Sequence, residues 1–170
     1  MLNEKVVELL NSQINKEFYS AYLYLDMANY YAKEGLDGFA NWFVIQAQEE
    51  RDHAMLFRQY LLNNGHAVKF ETIADPSRKY KSYREPLEAA LEHEQYVTAS
   101  INAIYDVAGE VKDYRTRQFL DWFVKEQGEE EMNAENNIRK YELAGEGQGL
   151  FMLDQSFQSR VYTAPSLVLD

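Results

Sequence analysis

Residues 39–61 read FANWFVIQAQEERDHAMLFRQYL, and this stretch decides the fold. Phe39, Phe43, Phe57 and Leu61 recur at helical steps, but the same stripe is filled between Phe43 and Phe57 by Gln46, Glu50 and His53. Burying a lone carboxylate costs about several kcal/mol unless it is paired or metal-bound. A helix that interrupts its own core stripe in this way therefore needs partners for those side chains from elsewhere in the chain.

The same pattern appears three more times. Val7, Leu10, Ile14, Ala21, Leu25 and Ala28 form a stripe whose gap holds Glu17. Leu87, Leu91, Val97, Ile101, Ile104 and Ala108 form another, interrupted by Glu94, and Leu120, Phe123, Ala134, Ile138 and Tyr141 a third, interrupted by Gln127 and Glu130. The spacing predicts helices over about 4–34, 37–64, 84–110 and 113–144, a short helix over 149–157, and a tail over 158–170 without trustworthy periodicity. Gly35 and Gly65 close the first two helices, Gly109 lies near the end of the third, and Gly145, Gly147 and Gly149 follow the fourth. Short links make each pair an antiparallel hairpin, whereas 65–83, with Asp75-Pro76, reads as a long crossover. The expectation is a single all-α domain over 1–170: a four-helix bundle with a long crossover between its second and third helices and a short fifth helix.

The polar interruptions repeat as a unit. Adding 77 to Glu17, Glu50 and His53 gives Glu94, Gln127 and Glu130, and adding it to Glu49 and Asp52 gives Glu126 and Glu129. Two related hairpins meeting about a pseudo-twofold axis bring these groups to one place, which reads as a dinuclear metal site. Glu50 with His53, and Gln127 with Glu130, are three apart and share a helix face. With 19 glutamates and three histidines, a Glu-x-x-His arises by chance roughly 0.3 times in such a chain, so the agreement of four helices carries the weight.

Composition narrows the metal and the partners. The chain has no cysteine, which removes disulfides, thiolate catalysis and iron–sulfur clusters and leaves oxygen and imidazole as ligands. Glu17, Glu50, Glu94 and Glu130 supply four negative charges, enough to balance two divalent ions, and carboxylates with one imidazole suit iron or manganese, with zinc as a competitor; iron is the expected metal. The net charge of −11 disfavours nucleic acid. No segment is long and apolar enough to serve as a secretory signal or to cross a bilayer, so a cytoplasmic location with no membrane partner is expected.

Glu17, Tyr24, Glu50-x-x-His53, Glu94 and Gln127-x-x-Glu130 together resemble the ferroxidase centre of non-haem ferritins, over essentially the whole helical region. The similarity is greatest to the bacterial ferritins, in which acidic residues matching Glu49, Glu126 and Glu129 form a third iron site with Glu130. The resemblance implies a shell of twenty-four subunits that stores iron. It would oxidise Fe(II) with dioxygen or peroxide and deposit a hydrated ferric oxide mineral. On that reading Glu17 and His53 hold the first iron, Glu94 and Glu130 the second, Glu50 bridges, and Tyr24 lies beside the pair. Gln127 offers a neutral amide and weakens the hold on the second iron.

Departures from the wider family are informative. Arg51 stands where bacterioferritins carry a haem-ligating Met, so no haem is expected. Arg115, Arg117 and Leu120 stand near the place where vertebrate ferritins carry the acidic pair of an access channel. Two alternatives belong to other classes: a DNA-protecting mini-ferritin and a metal-free structural four-helix bundle. His66 and His93, which lack partners at ligand spacing, read as surface residues, and Gly128 reads as making room for the neighbouring site.

Overall fold

A computed structural model describes residues 2–169. Its elements are α1 (Glu4–Lys33), α2 (Asp37–Asn63), α3 (Arg84–Glu110), α4 (Tyr114–Ala144) and α5 (Gln148–Gln158). Among the described residues there is no strand. The helices begin and end for local reasons. The Asn3 side chain accepts from the Lys5 amide and Asp113 from that of Thr116, satisfying donors that the first turns of α1 and α4 leave open. Gly35 and Gly65 adopt φ of 79° and 76° just past α1 and α2. α3 ends where the spacing places it, with Gly109 in its last turn, and the left-handed turn just beyond falls on Lys112, with φ 58°.

α1 packs along α2 and α3 along α4. The crossover over 64–83 returns the chain to the end where α2 began, since Tyr31 at the end of α1 donates its hydroxyl to the Tyr83 carbonyl at the start of α3 (2.6 Å). α2 and α3 are thus parallel, and the bundle is closed by packing α1 against α3. α5 lies across the start of α2, where one Asp154 oxygen accepts from the Gly38 and Phe39 amides (2.8 and 3.0 Å). A Cβ on Gly38 would lie 1.7 Å from the Asp154 carbonyl oxygen, so only glycine permits this approach.

The interior is divided in two. One apolar half holds Leu10, Ile14, Phe57, Ile101, Ile104, Leu120 and Phe123; the other holds Leu23, Met27, Tyr31, Phe39, Phe43, Leu87 and Phe157. Every helix of the bundle crosses from one half to the other at its polar interruption, which is why the stripes are broken in mid-helix. Leu25 departs from the expected stripe: it is exposed, and Leu23 and Tyr24 fill the core in its place. No helix among the described residues is long and apolar enough to cross a membrane.

Candidate metal centre

The layer between the two halves contains Glu17, Glu50, His53, Glu94, Gln127 and Glu130, all buried. Ligand atoms of Glu17, Glu50 and His53 all lie within 4.8 Å of one another. His53 Nδ1 is 3.5 Å from Glu50 Oε2 and 4.0 Å from Glu17 Oε2. These three atoms are buried without a hydrogen-bond partner. Orphaned polar atoms are rare in protein interiors, and donors that each bind one ion at about 2.0–2.2 Å stand some 3–4 Å apart. A single cation between them resolves all three deficits, so the residues fit a metal ion.

Glu94 and Glu130 reach this layer by a different arrangement. Glu94 accepts from the Tyr24 hydroxyl and, at 3.1 Å, from Gln127 Nε2. Gln46 Nε2 donates to Glu50 Oε1 (3.1 Å) and Glu130 Oε2 (2.8 Å), tying the two carboxylates together. Gln13 donates to Glu17 Oε1 (2.7 Å). Burial in this layer disfavours the charged form of each carboxyl group. Desolvation, followed by the nearby Glu50 charge, pushes Glu17 and Glu94 each up to about 8. Burial also raises Glu50 and Glu130, which face each other's charge or that of Glu94. Tyr24 is held well above its ordinary range by burial and then by Glu94, so it remains a donor.

The outer acidic residues are less enclosed. Glu49 and Glu126 are half-buried, Glu129 is exposed beside Lys125 (3.5 Å), and Asp52 accepts from the Tyr162 hydroxyl. Burial raises Glu49 and Glu126, partly offset for Glu49 by Arg160 and for Glu126 by His53. Trp122 packs its ring edge-on against His53 with centroids 5.6 Å apart. His93 is buried, contrary to its reading as a surface residue: it shares a 2.7 Å hydrogen bond with Ser20 across the α1–α3 contact. Gly128 does not make room for anything, since a Cβ added there meets nothing within 4 Å.

Sequence reasoning placed Gln46 in the stripe but missed its role as the link between Glu50 and Glu130. It missed Gln13 too. Gln13 lies four residues before Glu17, a helical neighbour spacing that could have revealed it.

A small cavity of about 20 Å³ adjoins Glu94 and Glu130, lined also by Tyr24, Gln46, Asn133 and Asn137. It has room for about one water molecule.

Fold and site together define a four-helix-bundle protein with a carboxylate-rich centre able to hold metal. Residues 7–144 match the family model described as Ferritin-like domain, and the chain belongs to this ferritin family. It is 41% identical over 156 residues to a bacterial non-heme ferritin of Campylobacter jejuni, covering 91% of this chain and 93% of that one. A bacterial non-heme ferritin of Bacteroides fragilis is 36% identical over 160 residues, 94% of this chain and all of its own length (100%). Among solved structures, an open pore ferritin from the archaeon Archaeoglobus fulgidus superposes with a TM-score of 0.91 at 42% identity, covering 94% of this chain and 98% of that chain.

Proposed function

We propose that this protein stores iron, binding Fe(II) at the buried layer and oxidising it there with dioxygen or peroxide before the product moves to an inner cavity. The observation that carries this reading is the convergence of three orphaned ligand atoms, from Glu17, Glu50 and His53, in a layer that also buries Glu94 and Glu130. The metal-free bundle leaves those atoms without a purpose. The net charge of −11 gives no support to a DNA-binding mini-ferritin.

In this reading Glu17 and His53 hold the first Fe(II), Glu94 and Glu130 the second, and Glu50 bridges them. Each Fe(II) gives up one electron; with dioxygen, the two electrons and two protons yield hydrogen peroxide. The protons that the carboxyls release on binding iron are available for that reduction. The 20 Å³ cavity beside Glu94 and Glu130 suits an oxidant the size of water, and leaves no space there for an organic substrate. Tyr24 holds Glu94 in place. Glu49, Glu126 and Glu129, with Glu130, form a third iron site on the way out.

The proposed shell has twenty-four subunits in the cytoplasm. An exposed apolar groove of about 620 Å³, lined by Phe18, Tyr22, Leu25, Val44 and Phe70, supports self-association.

Stopped-flow mixing of apo-protein with Fe(II) and oxygen tests the reading. Rapid oxidation that is lost in both Glu17→Ala and His53→Ala is the expected result. Oxidation no faster than in protein-free buffer would sink it.

A further inference from the structure

The segment that follows α5 lies against the metal layer. Asn41 Nδ2 holds it by donating to the Phe157 and Arg160 carbonyls (3.2 and 3.1 Å), and Trp122 Nε1 donates to Ser166 Oγ (2.8 Å). Leu167 and Leu169 pack on one apolar half of the core. Between these anchors, the Arg160 guanidinium stacks over Trp42, 4.1 Å from its centroid, and is mostly buried. Its Nη1 donates to the Trp42 carbonyl (3.0 Å) and Gln46 Oε1 (3.1 Å), and its Nη2 to Gln46 Oε1 (3.1 Å) and Glu49 Oε2 (2.6 Å).

Two consequences follow from this fork. A glutamine amide can face either way, and two guanidinium donors on Oε1 oblige the Gln46 NH2 to face Glu50 and Glu130. Arg160 is therefore a positioning residue for both carboxylates. It is also a fixed positive charge on Glu49, which stands next to Glu50 in sequence and feels the charge of Glu126. A metal ion and a guanidinium cannot share that carboxylate oxygen without strong like-charge repulsion.

We propose that Arg160 is a built-in cation that occupies Glu49 in the empty protein, so that a third metal ion binds only as the guanidinium leaves. This rests on the reading of Glu49 as a ligand of the third site. The segment after α5 then acts as a latch between the metal pair and its outlet, and Trp42 is the side chain that the departing guanidinium uncovers.

Calorimetric titration of the apo-protein with Zn(II), which undergoes no redox chemistry, tests the latch. The wild type is expected to bind two equivalents tightly and a third weakly. Arg160→Gln should tighten the third by about tenfold or more, because charge-assisted pairing no longer competes. Arg160→Lys, which keeps the charge, should stay within about threefold of wild type. Glu49→Gln should remove the third equivalent in both the wild-type and Arg160→Gln backgrounds.

Equal third-site affinity in wild type and Arg160→Gln, with the equivalent still lost in Glu49→Gln, would overturn the latch and leave the third site standing. Three unchanged equivalents in Glu49→Gln would instead remove Glu49 as a ligand, and the latch with it. Absence of any tight Zn(II) binding would count against the metal centre itself.

Discussion

The α1–α2 half of the centre and the α3–α4 half, related by a 77-residue repeat, satisfy matching buried side chains in different ways. In the first, Glu17 and Glu50 each accept through Oε1 from a glutamine, but Glu17 Oε2, Glu50 Oε2 and His53 Nδ1 are buried without a hydrogen-bond partner. In the second, Glu94 is satisfied by Tyr24 and Gln127, and Glu130 by Gln46. Unsatisfied ligands gain a full set of bonds from an ion, whereas satisfied ones must first give up hydrogen bonds. The first half is thus prepared for metal at the expense of the empty fold. The second has its hydrogen bonds without metal and should hold an ion less tightly than the first.

The largest effects separate the halves outright. Glu50→Ala, which removes the bridge, should weaken both Fe(II) equivalents, and His53→Ala should remove the first; each should slow oxidation by about 100-fold or more, whereas Glu130→Ala should remove the second equivalent and spare the first, as anaerobic titration will reveal. Loss of both equivalents in Glu130→Ala would mean that the halves do not act separately.

Acid and base provide the next comparison. Glu17 keeps its proton up to about 8 in the fold but loses it near 4.5 when unfolded, so the folded state binds more protons between these values. The stability this lends the empty protein is full below 4.5 and is lost as pH rises through 8. Glu94 adds to the same trend. Thermal unfolding of apo-protein should fall by roughly 10 °C from pH 5 to pH 8, and Glu17→Gln should flatten that fall and stabilise by about 1–3 kcal/mol at the alkaline end. With metal bound the trend reverses, because the ion replaces protons.

Gln127→Glu would make the halves more alike by adding a charge and withdrawing the donor from Glu94. The second metal equivalent should tighten by about tenfold, or ~1.4 kcal/mol, by calorimetry. The smallest effect lies outside the comparison of ligands but within the same half: Gly128→Ala fills open solvent in mid-helix and should raise stability by about 0.5–1 kcal/mol in denaturant unfolding.

Most of the architecture was legible because each helix carries its own periodicity and its own interruption. Phe39, Phe43, Phe57 and Leu61 mark the buried face of α2 without reference to any other segment. What escaped was whatever depends on a partner far away in sequence. His93 has no ligand-spaced neighbour on its own helix, and its burial comes from Ser20, 73 residues earlier. Arg160 sits in an aperiodic stretch, and its contact with Glu49 spans 111 residues. Leu25 was misplaced because α1 carries apolar residues on more than one face, and spacing alone does not say which face meets the bundle. The buried polar layer was legible only through the repeat, since no single helix distinguishes a buried carboxylate from a solvated one.

Asp154 gives the molecule a timetable. Its carboxylate meets the Gly38 amide across 116 residues of chain, one of the most non-local bonds in the fold. Synthesis runs from the N-terminus, so the first turn of α2 is made well before its cap exists. Until α5 arrives, the Gly38 and Phe39 amides remain open to water. Hydrogen exchange at these two amides would therefore report the final closure of the bundle separately from the pairing of its helices.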